Sequence, residues 1–113
     1  MALDFVFGVP EADLLRLYRR FQGLHGRSTP IAYIAVFGSR TTGKQRPDSD
    51  LDLVVALSSG AKDARESPRW QRVIQAIRDD FKATHGFELD VNVFETSEIG
   101  PKTKFKPSDL RKL

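Results

Sequence analysis

Residues 36–55 are VFGSRTTGKQRPDSDLDLVV, and this stretch decides the fold and the chemistry expected of the chain. An apolar run over residues 31–37 ends at Gly38-Ser39, and a polar loop rich in Gly, Lys, Arg and Pro follows it. A second run, over residues 50–57, is apolar apart from two aspartates at its start. Because short apolar runs bounded by turn residues are typical of buried strands, we expect two β-strands joined by this loop.

Asp50 and Asp52 stand two residues apart at the head of the second run. Successive side chains of a strand point to opposite faces, so the two carboxylates share one face and the aliphatic residues share the other. Like charges held this close repel each other, and a shared hard cation that prefers oxygen ligands, Mg²⁺ or Mn²⁺, relieves the repulsion. The alternative is that one aspartate caps a turn and the other is solvated. The Gly-Ser turn and the basic loop upstream favour the cation site.

Gly38 and Ser39 have the composition of a phosphate-binding turn. Glycine directly after a strand allows a sharp turn and a close approach by a ligand. Ser39 is placed to cap a short helical turn, whose free backbone N–H groups would bind a phosphate. Arg40, Lys44 and Arg46 add positive charge around the same point. Gly-Ser is a common turn dipeptide, so the prediction depends on its distance from the two aspartates.

A third strand is predicted over residues 87–94, FELDVNVF, where aliphatic and polar residues alternate. Asp90 lies inside this run, and an acidic side chain in so apolar a strand is costly unless it is paired or bound to a metal. Glu88 shares its face but lies nearer the start of the strand, which makes it a weaker candidate.

The segment FGSRTTGKQRPDSDLDLVV resembles the signature of the minimal nucleotidyltransferase (MNT) family, within the DNA polymerase β-like superfamily. The shared pattern is an apolar residue, Gly-Ser, a short loop, and then Asp-x-Asp with apolar neighbours. The resemblance implies transfer of a nucleoside monophosphate from ATP or another NTP to an acceptor hydroxyl, with release of pyrophosphate. It also implies two bound Mg²⁺ ions, with Mn²⁺ as a substitute, and a third carboxylate on a later strand. The implied site residues are the catalytic and metal-binding Asp50, Asp52 and Asp90, and the phosphate-binding Gly38, Ser39, Arg40, Lys44 and Arg46.

Two long amphipathic helices are predicted around these strands. Pro10 marks the start of the first, whose apolar stripe lies within residues 14–21. Ser67-Pro68 resembles an N-cap and a first helical residue, and the stripe that follows begins at Trp70, which we interpret as a core residue rather than a base-stacking one. The expected architecture is α/β (α+β): a polymerase β-like nucleotidyltransferase fold with a small mixed sheet of three to four strands flanked by two long helices.

The composition indicates one folded domain. The chain has 113 residues, of which 40% are hydrophobic and 29% charged, which suits a single core rather than a disordered chain. It has no cysteine, which excludes disulfides, zinc-thiolate sites and a thiol nucleophile. We expect a nucleotidyltransferase domain over residues 1–94, with a polar connector at 58–66, and a basic, partly ordered C-terminal tail over residues 95–113.

The charge and the apolar pattern bear on location and partners. No apolar run approaches the length of a membrane span, and the first residues lack the pattern of a secretory signal, so we expect a cytoplasmic location and no membrane partner. The net charge of +3 and the pI near 9.4 suit a nucleotide or nucleic-acid partner without requiring one.

The acceptor is left open by the resemblance. Many MNT members are antitoxins that add AMP to a tyrosine of a HEPN ribonuclease toxin, so a HEPN-type protein partner is expected. Other relatives are toxins that modify the acceptor end of tRNA, while those that modify aminoglycosides normally have a larger second domain and rank last. An alternative of another class is a non-catalytic antitoxin module that binds nucleotide or a partner. Its sign would be the loss of a carboxylate or of the Gly-Ser turn, and all are present. An oligomeric assembly is compatible with each of these.

Overall fold

The computed structural model describes residues 5–6, 9–24, 26, 30–38, 50–99 and 110–113. These residues form three helices, a short 3₁₀ helix and six strands. The elements are, in chain order, β1 (Phe5–Val6), β2 (Val9–Pro10), α1 (Glu11–Gln22), β3 (Ile31–Phe37), β4 (Leu51–Leu57), α2 (Ala61–Glu66), α3 (Pro68–His85), β5 (Leu89–Glu95), the 3₁₀ helix (Thr96–Glu98) and β6 (Arg111–Lys112).

Four of the strands form one mixed sheet in the order β5-β4-β3-β6. β4 is antiparallel to β3 and parallel to β5, and β6 is antiparallel to β3. The parallel pair is joined through α2 and α3, as a parallel connection requires a crossover segment. The prediction of a small mixed sheet with two long flanking helices is confirmed. The fourth strand, β6, comes from the segment that the sequence assigned to the basic tail. β1 and β2 form a separate antiparallel pair.

The two long helices cover one face of this sheet. Buried side chains of α1 and α3 form the main core together with alternate residues of β4 and β5 and with Ile31, Ile34 and Val36 of β3. Trp70, at the start of α3, retains 3% of its exposure, so its predicted place in the core is confirmed. α3 begins as predicted, with the Ser67 hydroxyl accepting a hydrogen bond from the Trp70 N–H at 3.4 Å. Gly86 ends it at a φ of +80°, a conformation that favours glycine.

The polar connector expected at residues 58–66 contains the helix α2. Gly60 precedes it in the left-handed conformation and donates its N–H to the Glu95 carboxylate at 3.0 Å. Ala61 and Ala64 are its buried residues. A helix of one and a half turns whose buried side is two alanines has too short an apolar stripe to be recognised from periodicity.

The opposite face of the sheet has a smaller core. It consists of Ala35, Val54, Ala56 and Leu110, with Tyr33, Phe37, Phe94 and Ile99 packed around them. Leu110 and Ile99 lie outside the central strands, so residues near the C-terminus cover this face where the helices cover the other. Within the described ranges, no helix has both the length and the apolarity needed to cross a bilayer.

Candidate active site

Asp52 and Asp90 lie side by side on the sheet. They are paired in the register of β4 and β5, and both are partly buried. Neighbouring strands are about 4.8 Å apart, so the two carboxylates share one small region. Leu51, Leu53 and Leu89 point to the helix side and belong to the main core. The aspartates therefore open onto the face with the smaller core, as the alternation in the sequence predicts.

Gly38 packs directly against Asp52. β3 ends at Phe37, which pairs with Asp52 across the antiparallel ladder, and Gly38 follows at a φ of +84°. A Cβ placed on Gly38 would lie 2.5 Å from Asp52 Oδ2, well inside any tolerated contact. The backbone conformation therefore favours glycine here, and a Cβ would also displace the Asp52 carboxylate. Gly38, the first residue of the Gly-Ser pair, thus lies next to the Asp-x-Asp strand.

Asp50 is exposed and comes just before β4. The next residue, Leu51, donates its N–H to the Glu88 carbonyl at 3.0 Å, which aligns the start of β4 with β5. Asp50 precedes Asp52 by two residues but lies outside β4, so its predicted place on the same face as Asp52 stays a prediction. Because Asp50 is exposed to solvent, a ligand can reach its carboxylate.

Glu88 is engaged elsewhere. Its carboxylate accepts a hydrogen bond from Lys82 Nζ of α3 at 2.6 Å. This bond, with the attraction between the charges, raises the pKa of Lys82. The pairing directs the Glu88 carboxylate toward α3.

Asn92 also belongs to the site, although no role is predicted for it from the sequence. It follows Asp90 by two positions on the same face of β5. Its side-chain amide donates to Asp90 Oδ2 at 3.3 Å and to the Leu53 carbonyl of β4 at 3.2 Å. Asn92 thus ties the Asp90 carboxylate to the neighbouring strand. The available signal was its shared parity with Asp90 within an otherwise aliphatic strand.

The other predicted phosphate-binding residues lie outside the described residues. These are Ser39, Arg40, Lys44 and Arg46, and their roles stay predictions.

The site's donor chemistry suits a hard divalent cation. Among the residues that the structure describes, no group of three or more His, Cys, Asp or Glu side chains is arranged to hold a metal ion. Two adjacent carboxylates, Asp52 and Asp90, nevertheless offer oxygen ligands, and Mg²⁺ is commonly held by one or two carboxylates together with substrate phosphates. The residues therefore fit a cation that arrives with a nucleotide better than a preformed protein cage.

The comparison with protein families agrees with this geometry. Residues 24–105 match the family described as "Polymerase beta, Nucleotidyltransferase", and the match includes β3, β4, β5 and the helices between them. No curated protein matches the chain significantly. Because the family match extends over most of the sequence and contains the paired aspartates and Gly38, the chain belongs to the polymerase β nucleotidyltransferase family.

Proposed function

We propose that this protein transfers a nucleoside monophosphate, AMP in the first instance, from an NTP to a hydroxyl group of a protein. The carrying observation is the pairing of Asp52 with Asp90, with Gly38 packed against Asp52. Family membership supports nucleotidyl transfer, and the resemblance to the MNT branch supports the protein acceptor.

The carboxylates would hold the reacting groups. Asp50, Asp52 and Asp90 would bind Mg²⁺ together with the triphosphate. When bound, Mg²⁺ supplies positive charge that stabilises the phosphoryl oxygens and the departing pyrophosphate. Gly38 and Ser39 would hold the β- and γ-phosphates through backbone N–H groups and the serine hydroxyl.

The proton of the acceptor hydroxyl is assigned to Asp90. The acceptor oxygen forms a bond to the α-phosphorus, and the bond from that phosphorus to the β-phosphate oxygen breaks, so pyrophosphate leaves. Asp90 takes the hydroxyl proton directly or through one water. Asn92, which donates to Asp90 Oδ2, would keep the other oxygen available to the acceptor.

The acceptor proposed is a tyrosine of a HEPN-type toxin, which would make this protein a cytoplasmic antitoxin. The alternative acceptor is tRNA, and the net charge of +3 is the observation that favours it. A non-catalytic antitoxin module, the remaining alternative, would bind its partner without any nucleotidyl transfer.

Label transfer tests the proposal. The protein is mixed with Mg²⁺, α-³²P-labelled ATP and an extract of its own cells, and protein and RNA are resolved separately. We expect a Mg²⁺-dependent labelled protein band that is lost with Asp52→Asn and kept with Glu66→Gln, which removes an exposed charge on α2. A labelled RNA band would assign the tRNA reaction instead. No label with any of the common NTPs, or with Mn²⁺, would contradict nucleotidyl transfer.

A further inference from the structure

β5 is an edge strand of the sheet, and its outward side can be assigned residue by residue. The Leu51 N–H bonds to the Glu88 carbonyl, and the register pairs Leu51 with Leu89. In a parallel ladder, alternate residues direct both backbone groups to the neighbouring strand. Even-numbered residues of β5 therefore face β4, and odd-numbered residues direct their N–H and C=O groups away from the sheet.

Side chains occupy both ends of this outward edge. Arg78 Nε donates to the Leu89 carbonyl at 3.1 Å, and Glu98 Oε1 accepts from the Glu95 N–H at 3.2 Å. Between them, the outward N–H and C=O groups of Val91 and Val93 take part in no hydrogen bond among those of the described chain. Exposed edges are normally shortened, charged or covered, because they can pair with another strand. The middle of β5 is therefore available to pair with another strand.

A groove of about 490 Å³ runs along this middle part of the edge. Val91, Val93 and Phe94 contribute its strand side, and Arg65, Ile74 and Arg78 are among the residues that contribute its helix side. Its lining contains two arginines and no carboxylate. Arg65 is partly neutralised by Glu98 at 3.2 Å, but Arg78 has no acidic partner among the described ion pairs. The groove thus combines unpaired backbone groups with positive charge.

We propose that this groove binds an extended acidic segment of the acceptor protein, which adds to β5 as a fifth strand. Main-chain hydrogen bonds to Val91 and Val93 would supply affinity, and Arg65 and Arg78 would select acidic side chains. Asn92 lines the same groove and donates to Asp90, so the added strand would lie against the strand that carries Asp90. The identity of the occupant as acceptor rests on the proposed function, whereas the groove and its chemistry do not.

A second copy of the chain fits this edge less well. Antiparallel pairing of two β5 strands would bring the Arg65 and Arg78 side chains of both copies to one surface, where like charges repel. An acidic segment instead complements them.

A labelled peptide tests the proposal directly. The probe is the fluorescent heptapeptide EVDVTVE, compared with the same peptide N-methylated at alternate residues and with KVKVTVK. Fluorescence anisotropy should show saturable binding of the first peptide. We expect the methylated peptide, which cannot form the ladder, and the basic peptide to bind at least about tenfold more weakly. Equal binding of the methylated peptide, or no binding of EVDVTVE, would overturn strand addition.

Variants of the groove identify the place of binding. Val91→Pro removes an outward N–H without removing a bond to β4, and we expect about tenfold weaker binding of EVDVTVE. Val91→Thr keeps the N–H and should bind like the parent. Arg78→Gln should also weaken binding about tenfold, while Arg72→Gln, an exposed arginine of the same helix outside the groove, should not. The arginine pair keeps the test decisive if the proline variant fails to fold.

Two further results separate the inference from the proposed function. Asp52→Asn should bind the peptide like the parent, since the groove lies on the other side of β5. Peptide binding without any label transfer would support the peptide-binding groove and contradict the proposed enzymatic function. Label transfer to protein without peptide binding would support the enzymatic function and contradict the peptide-binding groove. If sedimentation shows a dimer of the parent that Val91→Pro dissociates, the occupant is a second copy and the proposal is wrong.

Discussion

The two faces of the sheet are made by the same strands and serve different purposes. On β4, residues 51, 53, 55 and 57 point to the helices, and all are fully buried aliphatic side chains. Residues 52, 54 and 56 point the other way and form a series of Asp, Val and Ala. β5 repeats the contrast with Leu89 and Val93 against Asp90 and Asn92. One face provides the stabilising core, and the other provides the carboxylates.

This contrast explains how two aspartates can be held rigidly next to each other. Repulsion between adjacent carboxylates opposes folding, and burial of the large aliphatic residues directly behind them offsets it. On the carboxylate face, the second core covers Val54 and Ala56 and leaves Asp52 and Asp90 partly exposed at one end of the sheet. Stability and chemistry should therefore respond to substitutions on different faces, and five experiments test that separation.

The largest effect is expected for Asp52→Asn. Loss of one carboxylate of the pair should lower nucleotidyl transfer at least about a thousandfold, because such catalysis depends on the placement of charge. The free energy of unfolding should change by less than about 1 kcal/mol, since Asn has the same shape. Label transfer and urea denaturation measure the two quantities. A variant that transfers normally would remove Asp52 from the site.

Leu53→Ala tests the opposite face one residue away. Leu53 is fully buried in the main core, so its truncation should cost about 2–5 kcal/mol of the free energy of unfolding. The folded fraction should keep its transfer activity, because the Leu53 backbone, which accepts from Asn92, is retained. Urea denaturation and activity per folded molecule are the measurements. A large loss of activity in fully folded protein would show that the two faces are not separable.

Gly38→Ala should affect the carboxylate face through the backbone. The new Cβ would lie 2.5 Å from Asp52 Oδ2. The alanine would also have to adopt the left-handed φ of Gly38. We expect about a hundredfold loss of transfer and a loss of stability of about 1 kcal/mol. Gly26→Ala is the matched control, since a Cβ there would have open space around it. Equal effects of the two substitutions would contradict the packing of Gly38 on Asp52.

Asn92→Ala should produce a smaller loss of transfer, about tenfold, because it removes the amide that ties Asp90 to the Leu53 carbonyl. Its effect should appear in kcat and in the Mg²⁺ concentration needed for half-maximal activity, with the KM for ATP little changed. The variant Asn92→Gln should be less active than the parent protein, since its longer side chain displaces the amide group. An unchanged Mg²⁺ requirement would contradict positioning of Asp90.

The sequence predicted the parts of the site that depend on alternation within a strand. The faces of Asp52 and Asp90 followed from period-two patterns, and the burial of Trp70 followed from a helical stripe. Asn92 escaped prediction because its role depends on the register between β4 and β5, which sequence patterns do not reveal. β6 escaped because two exposed residues, Arg111 and Lys112, have no apolar alternation.

α2 marks another limit of prediction from sequence. Its six residues are too few to show a helical period. Its position depends on the hydrogen bond from the Gly60 N–H to the side chain of Glu95, which lies far along the chain in β5. Short elements that depend on tertiary contacts cannot be predicted from local sequence patterns, whereas long elements with a buried face can.

The smallest effect concerns Tyr33, on the carboxylate face. Partial burial raises the pKa of Tyr33, and the Lys112 ammonium lies 4.4 Å from its ring. Below the unfolded-state pKa of about 10, the phenol is neutral in both states and stability is unaffected. As the pH rises above that value, the unfolded chain ionises first, so the free energy of unfolding should fall until the folded-state pKa is passed. Tyr33→Phe should reduce this fall in the free energy of unfolding between about pH 9 and about pH 11. Near neutral pH, the pH dependence of the free energy of unfolding should be the same in both proteins. Urea denaturation at a series of pH values measures both. An identical fall in the variant would show that Tyr33 does not cause it.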